Sequence, residues 1–581
     1  MNHNFPVFTV ETECQDCYKC VRHCPCKAIK VVNGSASVMT DLCIACGRCV
    51  RVCPAGAKRI RPDLSRARFL MTRKHKVYAS LAPSFVSYFR GVAPEVLVEA
   101  LKKLGFAGVS ETALGAQLVS SETGKLLQQE NKGVFISSAC PAAVDYIRKY
   151  IPAMADRITP VLSPLLSHCR LLRREFGDDI GVIFIGPCAA KKQEADRHPE
   201  WLDLALTFED LESWLAQDNI KLETLTGAGQ QFVPATASEG RVYSLEGGMN
   251  ETLRGAAGDR TYYLAVSGLL NVQRVLGQAS AARYADMKLF IECLACDGGC
   301  VNGPAMPENG SDLEALLATA RLFEHRNSLD RPVEVKIEDR ILPDRLPPEE
   351  ISDLQLKQAL MSVGKQSPAD ELNCGGCGYP TCRAFARALV VGKAETAMCV
   401  SNLRRMAQKK SNALIRYIPA GVVMVDRNLR IIECNECFAR LFDESTLLAY
   451  QATPGLAGVE VANIVDFTEL FEAALASGGD LARDNQMVCD KIMNVNVFTI
   501  EPHQIVGAIV QDVTQSELHR EHIAEKAREV IQKNVMTVQQ IAKYLGEHMA
   551  ETEILLREVA SGYQTKNNRG AGEGADGRDE H

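Results

Sequence analysis

Eight cysteines within the first 53 residues carry the most legible chemistry of this chain. Cys14, Cys17, Cys20 and Cys24-Pro25 read C-x2-C-x2-C-x3-C-P, and Cys43, Cys46, Cys49 and Cys53-Pro54 repeat the pattern. Four thiolates hold a [4Fe–4S] cubane, and in runs of this spacing the fourth cysteine reaches across to the other cluster. Cys14, Cys17, Cys20 and Cys53 therefore form one ligand set, and Cys43, Cys46, Cys49 and Cys24 its partner. Zinc knuckles and a disulfide scaffold are the alternatives. Two runs of identical spacing, each closed by Cys-Pro, favour electron-carrying clusters over both.

Two further groups of cysteines have the types, if not the tight spacing, for the same chemistry. Cys140 lies in Ser137-Ser138-Ala139-Cys140-Pro141, and Cys188 in Gly186-Pro187-Cys188-Ala189-Ala190-Lys191-Lys192. Both follow strand-like runs. Cys296 and Cys300 close the segment Glu292 to Cys300, where Gly298 and Gly299 allow the backbone to approach a bulky group. Three strand-end loops delivering four thiolates to one point would bind another cubane, although a single cysteine after a strand is equally a small buried apolar residue. Cys374, Cys377, Cys382 and Cys399 read C-x2-C-x4-C-x16-C among Gly375, Gly376 and Gly378. That spacing suits a cubane better than paired zinc knuckles. Cys26, Cys169 and Cys293 have no assigned partner. Cys434, Cys437 and Cys489 lack a fourth ligand and read as ordinary thiols, and the eleven histidines form no ligand pattern.

The elements that must position these residues imply several domains in a chain of 581 residues. A net charge of −7 gives no argument for nucleic acid or an anionic membrane as partner. Met1 to Val10 lacks a signal-peptide pattern, and no apolar run is long enough to span a bilayer. Many cysteines without an export signal point to thiols kept reduced, and hence to a cytoplasmic protein. The expected fold is multidomain, α+β and α/β. Residues 1–66 form a ferredoxin-like unit and 67–343 an α/β domain with buried strands at Val77–Leu81, Gly133–Ile136, Val182–Ile185 and Tyr262–Val266. After a linker rich in Pro, Asp and Glu, a cysteine module occupies 349–405, with Cys399 returning from a helix. Residues 406–514 change texture, with strands around helices, and 515–562 are helical. In that helix Ile531, Val535, Val538, Ala542, Leu545 and Met549 alternate by four and three. This is an a/d seam fit for a dimeric coiled coil, or one face of a helix packed on its own domain. The Gly- and charge-rich residues 563–581 read as disordered.

The three central loops resemble, in order, the signature motifs of the [FeFe]-hydrogenases, usually T-S-C-C-P, M-P-C-x-x-K-x-x-E and E-x-M-x-C-x-x-G-C. The likeness runs from residue 1 to about 310 and includes Ala82-Pro83-Ser84 and Gly247-Gly248 with Glu251 and Arg254. It implies that Cys140, Cys188, Cys296 and Cys300 hold the cubane of an H-cluster. Cys300 would bridge to a diiron unit with CO, cyanide and dithiolate ligands. It further implies that Lys191 contacts a cyanide, that Glu194 completes the second motif, and that Pro83 and Ser84 line the opposite wall. The departures carry equal information. The thiol that relays protons in the family is Ala139 here. The relay glutamates align with Thr123 and Leu126, and the usual motif methionines are Gly186 and Leu294.

Residues 349–405 resemble a single [4Fe–4S] domain, and 406–514 resemble a PAS domain, whose signals usually leave by a C-terminal helix. The whole is similar to the sensory branch of the [FeFe]-hydrogenases: slow, reversible H2 chemistry, three accessory cubanes as relay, and output through the PAS domain and helix. The expected partners are H2 and protons, a ferredoxin-like electron carrier, a downstream kinase or phosphatase, and a second copy of the chain. A hydrogenase-related iron–sulfur scaffold without the diiron unit is the rival reading. A third is a plain ferredoxin-dependent hydrogenase, separated from the first by turnover rate.

Overall fold

The computed structural model describes residues 4–254, 261–278, 284, 286–307, 313–321, 335–488 and 490–563. The chain divides into two compact units, Met1–Leu403 and Arg404–His581. Among the described residues no helix is long and apolar enough to cross a membrane.

In the first unit, strand Val7–Thr9 pairs antiparallel with Lys58–Ile60, tying together the two ends of the ferredoxin-like segment. Between them lie the hairpin Ile29–Val32/Ser35–Val38 and two short helices, Lys19–His23 and Arg48–Arg51. Each helix begins directly after a left-handed residue, Tyr18 or Gly47, so each cysteine run turns sharply before its third thiol. Gly47 is required twice over. Its φ is +71°, and a Cβ there would collide with the Pro304 ring behind the last central cysteine loop.

The larger domain holds two parallel sheets. One has the order Gly108–Glu111, Val77–Leu81, Gly181–Gly186, Leu204–Thr207, and the other Thr261–Ser267, Lys288–Leu294, Gly133–Ile136. Parallel strands covered by helices on both faces read as continuous apolar runs. Val77–Leu81 and Lys288–Leu294 are accordingly buried at every position. The strand over Tyr262–Val266 departs from expectation: it forms, but Tyr262 is 60% and Leu264 46% exposed. Among the described residues it pairs on one side, with Lys288–Leu294.

From Arg340 to Ser352 the chain has neither helix nor strand. The helix Asp353–Ser362 then opens with a capping box, in which the Ser352 side chain accepts from Gln355 N–H and Gln355 answers to the Ser352 backbone. The cysteine module packs on the ferredoxin-like domain, where Tyr379, Phe385 and Met398 share an apolar cluster with Val21, Ile29 and Val31. Val31 N–H donates to Lys393 O at 3.0 Å. Cys399 does not return from a helix as expected. It follows one 3-10 turn, Thr396–Met398, and stands immediately before the helix Val400–Tyr417.

The second unit is an antiparallel five-stranded sheet in the order Ile431–Cys434, Gly421–Asp426, Ile505–Asp512, Lys491–Glu501, Leu481–Val488. Phe438, Phe467, Phe471, Val423 and Met493 fill its core. Asn435 organises the entrance: its Oδ1 accepts from Phe438 N–H and Val422 N–H, each at 2.9 Å. Its Nδ2 donates to the carbonyls of Ile415 and Ala420. The last strand leads into one helix, Thr514–Tyr563. Packing of that helix on its own domain does not occur over the seam, since Ile531, Val535, Val538, Leu545 and Met549 are all 49% or more exposed. Cys489 and residues 564–581, the expected disordered tail among them, lie outside the described residues.

Candidate metal centre and its cavity

The carboxyl ends of four parallel strands converge on one place. Ala82-Pro83-Ser84 follows Val77–Leu81, and Cys140 lies beyond Gly133–Ile136 at the head of helix Pro141–Tyr150. Cys188 follows Gly181–Gly186, and Cys296 and Cys300 follow Lys288–Leu294. Ligands of open α/β sheets sit at such carboxyl ends. Here they enclose a cavity of about 100 Å³, lined by Pro83, Ser84, Ala139, Cys140, Cys188, Lys191, Tyr243, Leu294 and Cys300 among others.

The thiols of this set act on one another. Burial pushes Cys188 up to about 11, and the neighbouring Cys140 adds to it. Burial raises Cys300, reinforced by Cys140 and Cys188. Cys296 is raised well above the ordinary thiol range by burial, then by Cys188, Cys300, Cys140 and Cys46. Four half-buried thiolates held this close repel one another unless cations are supplied, and bound iron would supply them. Among the described residues no three His, Cys, Asp or Glu side chains close on a point as the ligands of a single ion would. A cubane asks for a wider cage, with each thiolate on its own iron.

The rest of the cavity wall is mostly apolar, with a few polar groups. Lys191 is buried, and its Nζ donates to Glu194 Oε2 at 2.7 Å and to Ser163 Oγ at 3.2 Å. Ser84 Oγ is buried without a hydrogen-bond partner, which leaves a donor free for a bound group. Ala139 presents only a methyl group. Thr123 is fully buried with its Oγ1 unpartnered, whereas Leu126 lines a separate charged groove with Glu122, Lys125, Lys336 and Glu338. The two aligned relay positions therefore do not share the cavity. Gly186 is packed against the Phe184 ring and, at 2.8 Å from a built Cβ, Ala82, so a methionine has no room there. Leu294 fills the other methionine position on the wall.

Sequence reading passed over three features. Tyr243, on the cavity wall, is linked to Ser120 Oγ at 2.7 Å, and Ser120 to Thr252 Oγ1 at 2.6 Å. Thr112, also on the wall, meets Ser80 Oγ, which meets His168 Nδ1, each at 2.8 Å. Burial pushes His168 down to about 3, so it is neutral. Glu292 was legible only as the start of a motif. It is buried, and burial pushes it up to about 7, opposed by the backbone N–H groups of Asn250 and Met249. No periodicity flags such residues, because their partners are distant in sequence.

Several thiols of the remaining sets also act on one another. Burial, with its neighbours Cys24 and Cys43, pushes Cys46 up to about 12, and Cys49 is raised by burial and then by Cys43, Cys46 and Cys24. Ala28 N–H donates to Cys24 Sγ at 3.3 Å and Ala45 N–H to Cys43 Sγ at 3.4 Å. Burial raises Cys20 against the opposing Lys58 cation, and Cys14 and Cys17 raise it further. Cys53 lies half-buried two residues beyond helix Arg48–Arg51. Burial raises Cys377, reinforced by Cys399 and Cys374, and Cys382 heads the helix Cys382–Val390. Two unassigned thiols stand beside these sets, Cys26 near Cys24, Cys43 and Cys46, and Cys293 near Cys140. Lys27 lies in the field of both Cys24 and Cys377.

Comparison with known proteins finds four family matches along the chain. The family "Iron only hydrogenase large subunit, C-terminal domain" matches residues 75–304, and a 4Fe-4S dicluster domain matches 6–64. A putative Fe-S cluster family matches 370–401 and a PAS domain 409–474. The chain is 26% identical over 287 residues to the NADP-reducing hydrogenase subunit HndD of Solidesulfovibrio fructosivorans, covering 39% of this chain and 48% of that protein. It is 26% identical over 279 residues to the periplasmic [Fe] hydrogenase large subunit of Nitratidesulfovibrio vulgaris, covering 39% of this chain and 66% of that one. It is 25% identical over 176 residues to the cytosolic Fe-S cluster assembly factor NAR1 of Scheffersomyces stipitis, covering 27% and 32%. The chain thus spans less than two thirds of each relative.

Proposed function

Because the chain is an [FeFe]-hydrogenase-like protein with iron–sulfur sites and a PAS domain, we propose that it is a cytoplasmic hydrogen sensor with slow hydrogenase activity. Cys140, Cys188, Cys296 and Cys300 would hold the H-cluster cubane, and Cys300 would bridge to the diiron unit. When bound, that unit with its CO, cyanide and dithiolate ligands supplies the reversible chemistry H2 ⇌ 2H⁺ + 2e⁻. The chain's own part is positioning and exclusion. A mostly apolar wall would limit water at the bound group. The Lys191 ammonium, steadied by Glu194 and Ser163, and the unpartnered Ser84 hydroxyl offer donors to an anionic ligand. Ala139 offers no acid or base where proton transfer is needed, and this is the observation that carries the reading of slow turnover. A positioned proton relay contributes about 10²–10⁴-fold.

In this reading electrons would pass between neighbouring ligand sets. Cys46 acts on Cys296, Lys27 lies between the fields of Cys24 and Cys377, and Cys399 stands at the head of helix Val400–Tyr417. In this reading the PAS domain and the helix Thr514–Tyr563 report the redox state as a homodimer to a signalling partner. Infrared spectroscopy of protein matured with the diiron assembly machinery tests the proposal: CO and cyanide bands that shift under H2 are expected. Iron-loaded protein without those bands would favour a scaffold that carries cubanes alone, a reading to which the similarity to NAR1 lends weight.

A further inference from the structure

The accessory cysteine module meets the ferredoxin-like domain at one close contact. Gly378 has a φ of +91°, and a Cβ built on it would stand 2.9 Å from Val21 Cγ1 and 3.2 Å from Arg22 N. A glycine there lets the Cys377 loop press on the helix Lys19–His23. Tyr379, the next residue, packs with Val21 in the apolar cluster that also holds Cys20, Cys377 and Cys399. Cys24, Lys27, Gly375, Gly378 and Tyr379 line one groove at this junction. The contact thus brings a ligand loop of each domain to the same place.

Two side chains of this contact are not explained by packing alone. Lys27 has left-handed backbone, with a φ of +47°, a conformation disfavoured for any residue with a Cβ. Its Nζ donates to Val21 O at 3.0 Å and Arg22 O at 3.3 Å, and stands 5.9 Å from the centre of the Tyr379 ring. Among the described residues Lys27 has no carboxylate partner. The carbonyls orient the cation and leave its charge, and the charges it faces are those of Cys24 and Cys377. Tyr379 is only 5% exposed, yet among the described residues its hydroxyl is buried without a hydrogen-bond partner. Buried hydroxyls nearly always find one. The charges acting on this hydroxyl are those of Cys377 and Cys24, and then Glu349. A cluster on the thiolates of each side fits both side chains, since a cubane with four thiolates is anionic and its sulfurs accept hydrogen bonds.

We propose that Lys27 and Tyr379 couple the cluster held by Cys24, Cys43, Cys46 and Cys49 to the cluster of the accessory module, by setting the potentials of the pair. Lys27 lies between the two and raises both potentials, because a fixed cation favours the reduced, more negative state of each. Tyr379 donates its hydroxyl hydrogen bond to a sulfur of the accessory set and raises that potential alone. One electron then passes from the reduced cluster of one domain to the oxidised cluster of the other, with no bond or proton exchanged. The inference rests on the cluster assignments above, and not on the diiron unit.

The test is an EPR-monitored redox titration of the cluster-loaded full chain without H2. The accessory signal is identified by its loss in Cys374→Ser with Cys377→Ser. Lys27→Gln is expected to disfavour reduction of both clusters about tenfold, a fall of about 59 mV in each one-electron potential. Lys27→Arg, which keeps the charge, should restore both. Lys27→Gly removes the side chain and relaxes the left-handed backbone, so it should repeat the fall even if Lys27→Gln assembles poorly. Tyr379→Phe is expected to disfavour reduction about fivefold at the accessory cluster only. Potentials unchanged in Lys27→Gln and Lys27→Gly, with every cluster counted, overturn the proposal. A fall at one cluster alone in these variants also overturns it, by making Lys27 a neighbour of a single site. An accessory signal missing from the loaded parent would instead overturn the cluster assignment on which the coupling rests.

Discussion

Ala139 and Glu292 pose opposite questions about protons near the central cysteines. Ala139 puts a methyl group on the wall where a titratable group would be of use. Ala139→Cys is therefore expected to raise H2 turnover by about tenfold or more, within the roughly 10²–10⁴-fold reach of positioned proton transfer. Thr123→Glu and Leu126→Glu added to it should raise turnover further, and an unchanged rate in the triple variant would count against the missing relay as the cause of slowness. Glu292 has the reverse problem, a carboxyl group held where its charge is costly. Its folded value, about 7, lies above the ordinary 4.5 because burial disfavours the anion. The folded state thus holds this proton more tightly than the unfolded chain. Its stabilising contribution is full below about pH 4.5 and is lost as pH rises through 7. Glu292→Gln removes that loss, so its thermal midpoint relative to the parent should climb between pH 5 and pH 8. The gain should approach, at most, about 3 kcal/mol. A midpoint difference that is flat with pH would show that Glu292 ionises normally.

At the scale of elements, the helix Thr514–Tyr563 is the piece with the most unspent surface. Val535 is 49% and Val538 64% exposed, and the apolar seam continues to Met549 at 72%. Gly546 does not break it. An exposed apolar stripe at a/d spacing is what a second helix covers. Val535→Glu with Val538→Glu should convert a dimer into a monomer by light scattering while leaving the H-cluster infrared bands intact, since neither residue packs against its own domain. A double variant that stays dimeric and keeps its hydrogen-dependent output would make the seam an ordinary surface. Coupling also requires that hydrogen favour one arrangement of the helix pair over another, because equal affinity for both shifts nothing.

At the scale of the molecule, the proposed electron route makes the accessory module the step to test between chemistry and output. It packs on the ferredoxin-like domain through Tyr379, Phe385 and Met398, and its last cysteine directly precedes the helix that leaves the first unit. Cys374→Ser with Cys377→Ser should remove one cubane by iron analysis and EPR and keep hydrogen binding at the H-cluster. It should also abolish any hydrogen-dependent change in the PAS domain. If no cluster signal disappears, the module is not an iron site. If output survives the loss, the electron route does not run through it.

The sequence by itself determined the types of chemistry and their order along the chain. Cysteine spacing is a local property: C-x2-C-x2-C fixes how a loop can wrap a cubane whatever surrounds it, and apolar runs such as Val77–Leu81 announce buried parallel strands for the same local reason. The long final helix was readable on these terms. Tertiary structure decided what lies beside what. Only the fold brings Cys46 into the field of the Cys296 thiol, sets Lys27 between Cys24 and Cys377, and parts Leu126 from the cavity that holds Ala139. It also left Tyr262 and Leu264 exposed on an edge strand that composition marked as core, because a run of apolar residues does not say how many neighbours its strand will have. Burial and charge are sums over residues far apart in sequence, and for that reason the raised pKa of Glu292, the neutral His168 and the cations around His23 emerge only when the chain is folded.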